Sequence, residues 1–381
     1  MSMIVEAPGI DRARMRAAIA AALEPDVILD RWQRANVWAK AEDLLERRMR
    51  WSSLPFRLMV EFNRRCNTHC RMCPIQHSPT EELSPTSFER VLDEMGPGVM
   101  EVVPFLSGEP TLAPLPEVAA ILRPRNIFFS LTTNGERLDA ALWRGIEDVT
   151  ARVNVSLQSH RRDLQEQLVP GLSFDRIVEN LRRLAQRSAD AGFDLASSCV
   201  VMHANARELS AHAEFLAELG VRRWIVQRLY PWGPYHAEEG RSRSIDDVEE
   251  VDLVAAAVER AAALGMRVES NFGRGVPALS GPDLPTRFRS LDEQRFLVDL
   301  VRPGFCASLA STAVLTATGQ LRPCCRHPID LGPFEQLGFL SLWNGPAMQT
   351  LRREHFDRSL RPACRACTAY YAEEMPRGAS A

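Results

Sequence analysis

The chain has 381 residues, long enough for one large domain of about 250 residues with an appendage. Its composition, 45% apolar and 25% charged, is that of an ordinary globular protein, and a formal charge of -3 offers neither nucleic acid nor an anionic membrane an electrostatic hold. No run approaches the ~20 apolar residues of a membrane span, no basic-then-apolar secretion signal opens the chain, and nine cysteines in such a chain indicate a reducing compartment, so the expectation is a cytoplasmic protein.

Residues 1–10 have no periodicity. From Asp11 the segment DRARMRAAIAAAL reads as a helix with an Asp cap, and 27–48 reads as a second, with Trp32, Val37, Ala41, Leu44 and Leu45 on one side. Residues 1–50 are therefore expected to form a helical segment. From Phe56 a strand-then-helix rhythm begins. Strands are predicted at 56–62, 100–106, 126–132, 151–157, 194–202, 222–229 and 266–270, with amphipathic helices at 85–95, 174–187, 206–219 and 245–264. Such alternation builds a parallel sheet with helices outside and the strand C-termini at one mouth. Gly, Pro, Ser and charge accumulate at 231–243 and 271–291, and the second of these stretches marks the boundary between a domain at 51–290 and a smaller one at 291–381. In that smaller domain, 311–318 and 320–322 read as a hairpin turning at Gly319.

Chemistry concentrates in the stretch Glu61-Phe-Asn-Arg-Arg-Cys-Asn-Thr-His-Cys-Arg-Met-Cys-Pro74. The apolar run before it is strand-like, and Pro74 with Pro79 keeps the residues beyond Cys73 out of helix, so Cys66, Cys70 and Cys73 sit on a loop at a strand end. Three thiolates so placed can hold three corners of a cubane iron-sulfur cluster and leave the fourth iron open; zinc, completed by His69 or His77, is the alternative. A second set comprises Cys306, Cys324, Cys364 and Cys367, with Cys325 beside the second of them, and again a zinc site competes with an iron-sulfur cluster. Cys199 lies inside a strand and reads as a buried, inert thiol.

Three strand ends carry further signals. Ser107-Gly108-Glu109-Pro110 combines a glycine that permits close backbone approach with a carboxylate able to accept from an ammonium group. Thr132-Thr133-Asn134-Gly135 is a turn, and Ser156-Leu157-Gln158-Ser159 ends the fourth strand. His203 and Asn205 come after the fifth, where they could face the cleft, His203 as a proton carrier or as a structural histidine. Gln227, Arg228, Tyr230 and Trp232 form a polar and aromatic set suited to substrate binding.

The gaps of three and then two residues between Cys66, Cys70 and Cys73 resemble the cysteine signature of the radical S-adenosylmethionine superfamily, with Met72 where an aromatic residue usually stands. That resemblance implies a partial (β/α)6 barrel and a 4Fe-4S cluster whose open iron is chelated by S-adenosylmethionine, which on one-electron cleavage gives a 5'-deoxyadenosyl radical. It further implies that Ser107, Gly108, Glu109 and Pro110 bind the methionine amino group, that Thr133 and Asn134 lie near the cofactor, and that Ser156 meets the ribose, Gln158 replacing the family's acid. The stretch ending at Asn205 is similar to the family as well, and Asn205 joins the cofactor-binding candidates. The second cysteine set resembles the SPASM and twitch group: a hairpin cysteine pair, a helix such as Ser341-Leu-Trp-Asn-Gly345, and a final pair two residues apart. No cysteine comes after Cys367, so the resemblance implies one auxiliary 4Fe-4S cluster on Cys306, Cys324, Cys364 and Cys367, two clusters in all; Cys325 is then spare, and a bystander, an alternative ligand and a hydrogen donor near the substrate are its three readings.

Function is legible only in outline. The expected enzyme takes a hydrogen atom from a small polar molecule such as a sugar, aminocyclitol or aminoglycoside, and oxidises or epimerises it in natural-product biosynthesis, with a flavodoxin- or ferredoxin-type electron donor. A peptide-modifying enzyme forming thioether or carbon-carbon crosslinks is the rival, and a non-catalytic iron-sulfur or zinc scaffold is a third reading.

Overall fold

The computed structural model describes residues 13, 16–17, 19–20, 29–73, 75, 80–229, 248–272, 301–302, 304–325, 329–365 and 367. The strands are β1 (Arg57–Val60), β2 (Glu101–Val103), β3 (Phe128–Thr133), β4 (Thr150–Ser156), β5 (Asp194–Val201), β6 (Arg223–Arg228), β7 (Arg267–Ser270), β8 (Thr312–Leu315), β9 (Gln320–Arg322) and β10 (Gly332–Pro333). The helices are α1 (Arg31–Leu45), α2 (Pro85–Met95), α3 (Leu115–Leu122), α4 (Ala140–Ile146), α5 (Arg162–Leu168), α6 (Phe174–Ala191), α7 (Leu209–Glu218), α8 (Val248–Ala263), α9 (Ala307–Ser311), α10 (Phe334–Leu337), α11 (Phe339–Trp343), α12 (Pro346–Phe356) and α13 (Pro362–Arg365). All seven strands expected between 56 and 270 are present. The expected helix from Asp11 lies largely outside the described residues.

The chain divides into two compact units. One comprises Val60–Pro85 and Val103–Pro285. Its strands run in the order β3-β4-β5-β6-β7, each parallel to the next, as alternation with helices demands. Local sequence accounts for the pieces. In α6, Ile177, Leu181 and Leu184 repeat at helical spacing and are fully buried, and Gly192 ends the helix at φ +70°, a left-handed conformation that costs glycine nothing. In β4, Val153 and Val155 are buried on the helix side, where Val155 lies close to Gly135 of the β3 turn, while Arg152, Asn154 and Ser156 on the opposite face are half-buried.

The other unit comprises Met1–Met59, Thr86–Val102 and Thr286–Ala381. Its strand order is β10-β9-β8-β1-β2, and the hairpin read from the sequence is present as β8 and β9, antiparallel, turning at Gly319 with φ +73°. Helix α1 starts at Asp30 with a capping box to Gln33. Its buried face differs from the expected one: Trp32 is 52% exposed and Leu45 half-buried, whereas Gln33, Asn36, Val37, Lys40 and Leu44 are buried. Specific hydrogen bonds override hydrophobic periodicity there. Gln33 Nε2 donates to the Val99 carbonyl at 2.9 Å, and Asn36 bonds the Gly98 and Leu54 carbonyls while accepting from the Leu54 amide. Among the described residues no helix is long and apolar enough to cross a membrane.

Candidate functional site

After β1 the chain makes a bridge between Asn63 and Glu82 and then runs irregularly through all three cysteines of the first set. An irregular loop needs external partners for its backbone. The His69 amide donates to the Pro170 carbonyl at 3.0 Å and the Arg71 amide to the Leu168 carbonyl at 2.9 Å. Gly171, at φ +96°, comes so close that a Cβ there would lie 2.9 Å from the Asn67 carbonyl oxygen. Asn67 itself donates to Glu136 Oε2 at 2.6 Å and accepts from Asn134 Nδ2 at 2.8 Å, while Glu136 Oε1 accepts from the Ser173 amide. The cysteine loop is thus tied on one side to the β3 turn and on the other to the α5–α6 connection.

Within it, the Thr68 hydroxyl lies 3.2 Å from Cys66 Sγ and 3.4 Å from Cys70 Sγ, and the Cys73 amide donates to the Cys70 carbonyl at 3.1 Å. Burial pushes the Cys70 thiol up to about 11 against the opposing pull of the Thr68 hydrogen bond, and burial likewise raises Cys73. Burial thus disfavours the thiolate forms of Cys70 and Cys73, and a metal that binds them takes the proton's place. None of the nine cysteines is in a disulfide. Among the described residues no three His, Cys, Asp or Glu side chains converge on one ion; a cubane instead takes each thiolate on a separate iron. The His69 side chain is exposed, and His77 lies outside the described residues. Three soft donors on a pinned loop are a fitting corner for an iron-sulfur cluster.

The second motif packs directly against this loop. A Cβ on Gly108 would sit 2.5 Å from the Asn63 carbonyl oxygen and 2.7 Å from that of Arg65, a space only glycine fits. The Glu109 amide then donates to the Arg65 carbonyl at 2.7 Å. Glu109 is buried. Its Oε1 accepts from the Thr111 amide, the Thr111 hydroxyl at 2.6 Å and the Thr133 hydroxyl at 2.5 Å, and its Oε2 accepts from the Asn134 amide at 2.9 Å. Burial raises its pKa, and those same hydrogen bonds pull it back. Ser107 donates to Glu61, and Pro110 opens the short turn that Glu109 caps. The structure therefore brings Ser107, Gly108, Glu109, Pro110, Thr133 and Asn134 together with the cysteine loop. Glu109 serves there as a junction between turns, a use that its sequence neighbours do not announce.

Ser156 ends β4 with its half-buried side chain on the face away from α6, in register with Ser198. Gln158, standing where the family has an acid, is buried and accepts from the Val200 amide at 2.8 Å. The expectation of a cleft-facing Asn205 meets a different arrangement: the residue is 1% exposed, its Oδ1 accepts from the Met202 amide, and its Nδ2 donates to the carbonyls of Gln158 and Val200. Its side-chain amide braces the β5 turn and ties it to the end of β4. His203 is exposed in the same turn. Cys199 is fully buried beside Trp224, as expected, and burial pushes its thiol up to about 12. Gln227 is exposed, Arg228 covers the Phe272 ring at 5.1 Å, and Tyr230 and Trp232 lie outside the described residues.

In the other unit Cys306 is the N-cap of α9, its sulfur 3.5 Å from the Leu309 amide nitrogen, and α9 leads straight into β8. Val314 pairs with Arg322 and Leu315 with Leu321, and Cys324 comes two residues after β9 ends. Cys364, on α13, and Cys367 are joined by the Cys367 amide donating to the Cys364 carbonyl at 3.2 Å, and burial raises Cys364. Cys325 is exposed.

Sequence reasoning missed Asn67, Thr68, Glu136, Glu61 and Asn63 as parts of the site. Only the first two carried a signal, being the residues enclosed by the Cys66–Cys70 gap.

Comparison with known proteins assigns the class. Residues 60–216 match the Radical SAM superfamily and residues 306–368 match the SPASM family, an iron-sulfur cluster-binding domain. The chain is a radical S-adenosylmethionine protein of the SPASM subgroup. The cofactors of these domains are S-adenosylmethionine and a 4Fe-4S cluster in the radical domain and auxiliary iron-sulfur clusters in the SPASM domain. It is 25% identical over 197 residues to Fe-coproporphyrin III synthase of Methanosarcina barkeri, spanning about half the length of each, 50% of this chain and 48% of that one. The fold is similar to that of SuiB of Streptococcus suis bound to its precursor peptide SuiA, with a TM-score of 0.62 at 15% identity, covering 90% of this chain and 76% of that one. It is also similar to anSMEcpe with bound AdoMet and Cp18Cys peptide, with a TM-score of 0.55 at 16% identity, covering 84% and 88%.

Proposed function

We propose that the enzyme oxidises or epimerises a small polar substrate, such as a sugar, aminocyclitol or aminoglycoside, with Cys66, Cys70 and Cys73 holding the cluster that binds S-adenosylmethionine. The observation that carries the reading is the convergence of three strand-end motifs: the thiol loop, the Gly108–Glu109 turn and the Thr133–Asn134 turn, laced through Glu109, Asn67 and Glu136. When bound, the cofactor pair supplies the 5'-deoxyadenosyl radical. Gly108 keeps the second turn against the loop, Thr133 and Asn134 fix the Glu109 carboxylate, and Ser156 presents a hydroxyl at the end of β4. Cys306, Cys324, Cys364 and Cys367 would hold the auxiliary cluster, whose chemistry would be that of an electron acceptor for the oxidative form of the reaction. A flavodoxin- or ferredoxin-type protein supplies the activating electron.

Support for a small polar substrate comes from the sheet face turned away from α6 and α7. Trp224 and Val155 lie on the helix side, Trp224 against His212 of α7 with ring centroids 5.8 Å apart. Alternation then puts Ser130, Thr132, Asn154, Ser156 and Ser198 on the other face, and register sets Thr132 beside Asn154 and Ser156 beside Ser198. Asn154 Oδ1 has no hydrogen-bond partner among the described residues. With Arg152 beside Ser130, and Ala196 and Ile225 as its apolar members, this face offers hydroxyls, a guanidinium and an amide oxygen to a hydroxylated molecule. Incubating the reduced protein with S-adenosylmethionine and either aminoglycosides or candidate peptides, and measuring 5'-deoxyadenosine, tests the reading. Turnover with peptide alone sinks it.

A peptide substrate is the second reading, favoured by one observation: two proteins of similar fold were solved with peptides bound. The same incubation separates the two.

A further inference from the structure

The position between Asn67 and His69 in the Cys66–Cys70 loop is almost fully buried, 1% exposed, yet it is a threonine. A buried hydroxyl needs a partner. The partners of Thr68 are two sulfurs, Cys66 Sγ at 3.2 Å and Cys70 Sγ at 3.4 Å. The hydroxyl is not free to turn elsewhere with the loop, because the chain on either side is fixed. Asn67 is held by Glu136 and Asn134 and overlain by Gly171, and the His69 amide is bound to Pro170.

In the metal-free loop either the thiol or the hydroxyl can be the donor. Once the cysteines are metal ligands they are thiolates, with no proton to give, so the Thr68 O–H becomes the donor. Adding an electron to a cluster raises the negative charge on its sulfurs, and a hydrogen bond to sulfur strengthens with that charge.

We infer that Thr68 is a potential-setting residue: its single O–H, within reach of the thiolates of both Cys66 and Cys70, donates to one of them or is shared between them and makes the cluster of the first cysteine set easier to reduce. The inference rests on the reading that Cys66, Cys70 and Cys73 carry that cluster. Thr68 acts through the sulfurs and not by touching substrate or S-adenosylmethionine.

The test is a redox titration of the fully loaded protein, followed by the electron-spin signal that changes when S-adenosylmethionine is added, for wild type, Thr68→Val, Thr68→Ala and Thr68→Ser. Valine keeps the shape and removes the donor, alanine removes both, and serine keeps the donor. At a fixed solution potential, the ratio of reduced to oxidised cluster should fall about three- to tenfold in Val and Ala, a tenfold fall being 59 mV for one electron, and should change less than about twofold in Ser. The auxiliary cluster's midpoint should not move in any variant. Equal midpoints in wild type and in whichever of the Val and Ala variants retain the S-adenosylmethionine-sensitive signal would overturn the inference. Persistence of that signal in Cys66→Ala, Cys70→Ala or Cys73→Ala would instead overturn the underlying assignment of the cluster.

Discussion

The carboxylate of Glu109 receives the Thr133 hydroxyl at 2.5 Å on one oxygen and the Asn134 amide at 2.9 Å on the other, so the turns after β2 and β3 share a single buried acid. Removing that acid strands the Thr133 and Thr111 hydroxyls and two backbone amides. Each lost hydrogen bond to a charged group is worth ~1.5–3 kcal/mol, and the losses add incompletely. Glu109→Ala should therefore lower stability by about 2–4 kcal/mol in urea unfolding of the metal-free protein and abolish formation of 5'-deoxyadenosine. An unchanged urea midpoint would show that the junction holds nothing together.

Gly108→Ala tests the same junction by bulk instead of by charge. The added methyl would meet two backbone carbonyl oxygens at 2.5 and 2.7 Å, and backbone cannot step aside as a side-chain tip can. The Gly108 turn must withdraw from the cysteine loop. Iron bound after reconstitution should fall to roughly the auxiliary cluster's share, about four irons, and a full complement with undiminished S-adenosylmethionine cleavage would contradict the steric argument.

The rhythm of strands and helices and the cysteine spacings were legible because they obey short-range rules: periods of two and 3.6 residues, and thiols clustered in sequence. The features that escaped were partners set by tertiary proximity. Glu136 looks like any surface glutamate, yet it binds Asn67, 69 residues earlier in the chain, and the Ser173 amide. Asn205 sits at a strand end, where cofactor contacts gather, but its amide closes the turn it belongs to. Periodicity placed Trp32 in the buried stripe of α1, whereas Gln33 and Asn36 hold that face through carbonyls more than 60 residues away at Val99 and Gly98.

That face also carries Lys40, which shares one aromatic setting with Arg352 of α12. Lys40 Nζ lies 4.3 Å from the Trp51 ring centroid and 5.4 Å from that of Trp343, while Arg352 Cζ lies 4.2 and 4.9 Å from the same rings. Arg352 has the Met49 and Trp343 carbonyls and Asn344 Oδ1 as acceptors; Lys40 Nζ has none among the described residues. Cation–π attraction supplies ~0.5–2 kcal/mol, less than the several kcal/mol of dehydrating an ammonium, so the lysine is the one that gives way. Burial and the Arg352 charge hold its pKa well below the usual lysine range, against a smaller opposing pull from Asp43. Above that depressed value the folded amine is neutral while the unfolded one keeps its proton up to about 10.4, so this group's contribution rises with pH across the window and is lost as pH falls. Asp43 keeps the Ser53 amide and hydroxyl without Lys40. Lys40→Met should thus be stabilising by about 1–3 kcal/mol at pH 7 and should flatten the alkaline rise of stability; marked destabilisation in urea at pH 7 would mean that the lysine is charged and paired.

Acid should weaken the fold through two histidines that stay neutral in it. Burial, with a smaller push from His160, holds His212 at about 3; burial holds His355 at about 4, against Glu354 and with Arg361. Unfolded histidines titrate near ~6.5, so between that value and the folded ones the unfolded chain binds protons that the folded chain refuses. Stability should fall as pH drops from about 6.5 toward 4, by up to ~1.4 kcal/mol per pH unit for each histidine. Urea midpoints of the metal-free protein across pH 4–7 measure the slope, which His212→Phe should lower by one proton's worth. A slope untouched by the substitution would place the acid sensitivity elsewhere.

Iron stoichiometry decides how the two cysteine sets divide the chemistry. The first set offers three thiols on a loop that the fold pins from both sides, and three ligands leave one iron of a cubane open. The second offers a fourth thiol, and four ligands close a cluster to substrate, which suits it to passing electrons. The expected result is about eight irons per chain after anaerobic reconstitution and about four in the Cys66/Cys70/Cys73→Ala triple variant, with Mössbauer spectra losing the component that S-adenosylmethionine perturbs. Substitution of Cys306, Cys324, Cys364 and Cys367 should leave that component and remove the other. If the wild type instead carries about four irons and one zinc, the second set is structural, the substrate's electron has no acceptor in the chain, and return of a hydrogen atom from a thiol such as Cys325 becomes the step to test, with epimerisation rather than oxidation as its product.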